Sequence, residues 1–112
     1  RDGALAWDGT RFWYAPSYRV RAVDTTGAGD LFHAGFAFGL LKEWELQRIL
    51  DFSGAAAGLN CTGLGARGGI RPLGEIEYFC LTGHRNPAAF SVRELENATA
   101  AWKSRPVGRR VK

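Results

Sequence analysis

Short apolar runs separated by glycine-rich and turn-forming clusters make up most of this chain, and the spacing of each run predicts its element. Ala4, Leu5, Ala6 and Trp7 precede Asp8-Gly9, and Phe12, Trp13 and Tyr14 follow. That pattern predicts two short strands joined by a two-residue Asp-Gly turn of type I′, in which both central residues take positive φ. Tyr18 to Val23 alternates, with Tyr18, Val20 and Ala22 on one face, and predicts a further strand. From Leu31 to Leu41 the only polar residue is His33. A helix from about Gly29 to Leu41 would be apolar on all sides, which predicts a place between layers.

A second helix is predicted from Leu46 to Leu59, with Leu46, Ile49, Leu50 and Phe52 inward and an Ala-Gly run after them that permits close packing. Asn60 to Ile70 is dense in glycine and reads as a loop, and Pro72 to Phe79 as a short closing helix. Thr82 to Pro87 reads as a linker. Ser91-Val92-Arg93-Glu94 then forms a capping box, opening a helix with Val92, Leu95, Ala98 and Trp102 on one side.

Composition changes this picture little. The 112 residues are 46% hydrophobic, ordinary for one small globular domain. The formal charge of +4 owes much to Lys103, Arg105, Arg109, Arg110 and Lys112, a basic tail, so neither nucleic acid nor membrane is an expected partner. The apolar run after Asp30 is too short to span a bilayer. Cys61 and Cys80 lie far apart without metal-ligand spacing, which fits a reduced, cytoplasmic protein. Arg1 at the start and the absence of Met predict the C-terminal portion of a longer protein.

The candidate chemistry sits where the loop meets the apolar helix, at Asp24-Thr25-Thr26-Gly27-Ala28-Gly29-Asp30. The first N–H groups of a helix lack intrahelical acceptors and carry the positive end of its dipole, so Gly27, Ala28 and Gly29 offer donors to an anion without side chains in the way. Asp30 stands at the mouth of that cradle. Gly-x-Gly by itself serves turns and helix caps equally well, and Asp24, Thr25 and Thr26 also suit a turn held by side chain to backbone bonds. No Lys-Ser/Thr follows the glycines, which excludes a Walker loop, and the third glycine of a dinucleotide fingerprint is missing.

The whole run, followed by Phe32-x-x-Gly35-Phe36, resembles the C-terminal signature of the ribokinase-like (PfkB) carbohydrate kinases. The resemblance implies an α/β fold, the C-terminal part of a three-layer α/β/α domain with a short β-hairpin and several helices. It covers residues 1–80 and leaves 81–112 as linker, helix and basic tail. It implies ATP-dependent phosphorylation of a sugar hydroxyl, with Asp30 as catalytic base, the Gly27, Ala28 and Gly29 amides as anion hole, and Mg²⁺ on the phosphates. It places Gly3 at the end of a nucleotide-phosphate loop, Gly29 at the phosphates, and Ser53 and Gly54 beside the adenine. It gives Asp24, Thr26, Asn60, Gly63 and Gly65 to a monovalent cation such as K⁺, and is compatible with a homodimer of the full-length protein. The alternative for the 112 residues taken alone is a non-catalytic fragment or pseudoenzyme module that binds a nucleotide or a protein partner.

Overall fold

The computed structural model describes residues 3–20, 27–62 and 72–105. Asp24, Thr26, Gly63 and Gly65 lie outside the described residues. Strand β1 (Ala4–Trp7) pairs antiparallel with β2 (Phe12–Ala15), with Ala4 opposite Ala15 and Trp7 opposite Phe12. Helices α1 (Ala28–Leu41), α2 (Leu46–Asn60), α3 (Leu73–Thr82) and α4 (Val92–Lys103) follow.

The hairpin is present, but its turn departs from type I′. Gly9 has φ 98°, but Asp8, the other central residue of the expected turn, does not take positive φ. The Asp8 carboxylate explains the difference: Oδ1 accepts the backbone N–H groups of Thr10 and Arg11 at 2.7 and 2.8 Å, and Oδ2 accepts the Trp13 indole N–H at 2.7 Å. These side-chain bonds add to the backbone bond from Asp8 N–H to Arg11 O at 3.2 Å, so side chain and backbone close the turn together.

The run after Pro16 also differs from expectation. Tyr18 makes one isolated antiparallel bridge, to Arg85, and Arg19 and Val20 belong to no strand; the rest of the expected strand lies outside the described residues. A strand needs a continuous ladder, and here the facing segment is only three residues long. Thr82 to Pro87, expected as a linker, is therefore partly an anchored strap. His84 O accepts the Arg19 N–H at 2.7 Å, and the Asn86 N–H donates to Ser17 O at 2.8 Å.

Helices α1 and α2 pack along one another because two glycines of α1 let the backbones approach. Gly35 faces Ser53 and Gly39 faces Ile49. Those glycines are the buried residues of α1, whereas Leu40 and Leu41 are 58% and 84% exposed. Among the described residues this helix is covered on one side only, by α2. An all-apolar pattern states what a helix must bury, not which element covers it.

α1 ends in a Schellman arrangement, in which Trp44 N–H reaches Gly39 O, Glu43 N–H reaches Leu40 O, and Glu43 takes φ 58°. Trp44 is thereby turned onto Phe38 and Phe52, with ring centroids 5.6 and 5.2 Å away. The core gathers around Tyr18, Phe52, Ala55, Ala56 and Ile76. Beyond it, the Ser91–Glu94 capping box forms as expected, and α4 lays Trp102 against Trp7 and Phe12 of the hairpin.

Candidate functional site

The left-handed conformation of Gly27 (φ 83°, ψ 0°) starts the site. A left-handed residue leading directly into right-handed helix turns successive N–H groups toward a common side, the backbone geometry of an anion-binding nest. Gly27 has no side chain to cap the first turn of α1, and its carbonyl accepts the Leu31 N–H at 3.0 Å. The amides of the first turn therefore lack intrahelical acceptors. A Cβ at Gly29 would meet nothing within 4 Å, so space is open above that amide. Asp30 follows in the same turn, and its residue is exposed.

Beside this terminus lies a cleft of about 180 Å³. Ala28 borders it from α1, Gly3 from the entry to β1, and Gly54 from α2, so three residues singled out from sequence face one space. Gly3 has φ 112°, and a Cβ there would run into Ala15 O, which accounts for glycine at that position. A Cβ at Gly54 would meet only the Tyr18 ring, at 3.9 Å. Gly58, one turn on, faces Val20 and Tyr18 in the same way. Small residues on this side of α2 keep the cleft open.

Ser53 is not part of that surface. It is fully buried, its hydroxyl donates to Ile49 O at 2.6 Å, and it packs against Gly35. Its neighbour Gly54 faces the cleft, so one step around the helix separates a packing residue from a lining residue. The Ser53 hydroxyl is thus engaged within α2 and not open to the cleft. Asn60, the one described residue of the expected cation set, is fully buried at the end of α2. Among the described residues no three His, Cys, Asp or Glu side chains gather as a metal site.

Sequence reasoning missed the opposite wall of the cleft, formed by Pro16, Ser17 and Tyr18, and what holds it. Arg85 Nη1 donates to Pro16 O at 2.7 Å, and Nη2 donates to the Tyr18 hydroxyl at 2.9 Å and to Asp51 Oδ1 at 2.7 Å. Its guanidinium carbon lies 4.0 Å from the centre of the Tyr18 ring. Burial works against the Arg85 charge, but the Asp51 carboxylate and Tyr18 outweigh it and push the pKa up. Burial likewise raises the Tyr18 phenol, whose hydroxyl donates to Cys80 O at 2.9 Å. No periodicity or motif points to Arg85, because its partners lie 34 to 69 residues away.

A glycine-led helix terminus opening beside a cleft between a hairpin and a helix pair defines part of an α/β domain. The sequence model of the pfkB family carbohydrate kinases matches residues 1–72, and the chain belongs to that family. It is 41% identical over 77 residues to a ribokinase of Bacillus subtilis, covering 69% of this chain and 26% of the relative. It is 50% identical over 56 residues to a fructoselysine 6-kinase of Escherichia coli, covering 50% of this chain and 22% of the relative. Among solved structures, the ribokinase of Thermotoga maritima matches with a TM-score of 0.67 at 34% identity over 72% of this chain and 27% of that one. A putative ribokinase II of E. coli in complex with ATP and Mg²⁺ matches with a TM-score of 0.68 at 31% identity over 71% of this chain and 26% of that one. The chain spans about a quarter of the length of these relatives.

Proposed function

We propose that this chain supplies the phosphate-binding and base-bearing part of an ATP-dependent sugar kinase. The observation that carries the reading is the convergence of Gly3, Ala28 and Gly54 on one cleft beside the α1 N-terminus, with Asp30 exposed in that first turn. When bound, ATP supplies the phosphoryl group and Mg²⁺ neutralises charge on the phosphates.

The residues present suit that role. The open space over Gly29 and the uncapped turn at Gly27 fit a phosphate group. Mg²⁺ in such sites is held by one or two carboxylates, water and the phosphates themselves rather than by an all-protein cage. In this reading Gly54 and Gly58 leave room for the nucleotide, and Asp24, Thr26, Asn60, Gly63 and Gly65 hold a monovalent cation next to it.

Asp30 accepts the proton of the sugar hydroxyl as that oxygen bonds to the γ-phosphorus and the bond to the departing ADP oxygen breaks. The amides of Gly27, Ala28 and Gly29 receive the charge on the transferring oxygens. Because the transition state is loose, positioning and charge stabilisation carry more of the rate than basicity does. Asp30→Ala in the kinase that carries this chain is expected to lower kcat by about 10²–10⁴-fold while leaving ATP affinity within a few fold. A near-normal kcat would reduce Asp30 to a charge at a helix end.

A further inference from the structure

We propose that Arg85 is a positioning residue for the cleft, holding the Pro16–Tyr18 wall against α2 and so setting the width open to a ligand. The proposal rests on the reading of that cleft as part of a nucleotide site. Arg85 lies beyond residues 1–72, which the family model matches, so this support comes from outside the family signature.

Three observations place the guanidinium between the walls. Pro16 and Tyr18 border the cleft on one side, and Arg85 donates to both. Leu50 and Gly54 border it on the other side, and Arg85 donates to Asp51, the residue after Leu50. The backbone around Arg85 is fastened as well, through the His84 O to Arg19 N–H bond and two bonds from Asn86, to Ser17 O and to Ser17 Oγ.

The fork of a guanidinium matters here. Its planar set of donors serves a carbonyl, a hydroxyl and a carboxylate together, and it also stacks on a ring, which an ammonium cannot reproduce. The Arg85 and Asp51 side chains are 29% and 30% exposed, covered enough for the pair to hold one geometry. With the fork removed, Asp51 loses its cation, Tyr18 loses a donor and Pro16 O its partner. The wall is then held by the strap's bonds to Ser17 and Arg19 and by the Tyr18 hydroxyl on Cys80 O.

The test is ATP-dependent turnover and ATP binding in the kinase that carries this chain. Arg85→Ala is expected to raise KM for ATP about tenfold, with kcat at saturating ATP within about twofold. Arg85→Lys should restore only part of the difference. Asp51→Asn, which removes the charge at constant size, should move KM in the same direction and serves if Arg85→Ala does not fold. Ser91→Ala, in the capping box of α4, should lower stability with KM unchanged, the signature of a merely structural contribution. An Arg85→Ala variant that behaves like Ser91→Ala overturns the proposal.

Should the unsubstituted protein fail to bind ATP, the nucleotide reading falls. The strap is then judged by hydrogen exchange of the Arg19 amide without ligand. Exchange faster by about tenfold in Arg85→Ala supports the positioning role, and unchanged exchange overturns it.

Discussion

Gly39 of α1 and Ile49 of α2 meet so closely that a Cβ on Gly39 would lie 2.6 Å from Ile49 Cγ1. Ile49 is 1% exposed and cannot swing away, so the added atom must displace packed side chains or separate the helices. Although alanine favours helix by about 1 kcal/mol over glycine, overpacking costs about 1–3 kcal/mol and prevails. Gly39→Ala is therefore expected to lower the stability of the α1–α2 pair, read as a lower midpoint in chemical denaturation. A raised midpoint would show that the helices separate freely.

Gly29 gives the opposite balance. Its added Cβ would meet nothing within 4 Å, so Gly29→Ala is expected to stabilise the fold by up to about 1 kcal/mol through helix propensity. The same methyl group would stand where a phosphate approaches the amides of the first turn. Activity is expected to fall about tenfold or more, short of the 10²–10³ lost when such a donor is removed outright. A rise in Tm together with a fall in kcat is the diagnostic result; a rise in Tm with full activity would remove Gly29 from the anion site.

Asp8 gives the hairpin a dependence on acid. The Trp13 indole N–H, followed by the Arg11 and Thr10 amides, holds its carboxyl down to about 2, against an ordinary 3.8. A carboxylate whose folded pKa is depressed stabilises the fold above its unfolded pKa, and that stabilisation is lost as pH falls through the folded value. The Asp8 contribution should be complete above about pH 4 and disappear toward pH 2. Following Tm across that interval, Asp8→Asn should show a shallower loss than the unsubstituted chain. Parallel curves for the two would show that the Asp8 bonds contribute no linkage.

The elements legible in the sequence were those specified by neighbouring residues. Ser91 and Glu94 lie three apart and cap their own helix, and the small residues from Gly27 to Gly29 mark the start of α1 directly. Asp8 shows the limit of such reading. Asp-Gly announces a turn, but its conformation followed from the carboxylate reaching Thr10, Arg11 and Trp13 together. Ser53 shows the same limit at the site: the resemblance set it with Gly54 beside the adenine, but only packing against Gly35 directs its hydroxyl into its own helix.

The order of small, hydroxyl and apolar residues by itself determined the family and the helix that follows the Gly27–Gly29 turn, because backbone conformation and helix ends respond to residues only a few positions away. Tertiary structure alone decided that Gly3, Ala28 and Gly54 share a cleft, that Ser53 does not, and that Arg85 joins the two walls. Those relations are between segments tens of residues apart, and they depend on which side of α2 each residue takes when the helices, hairpin and strap pack together.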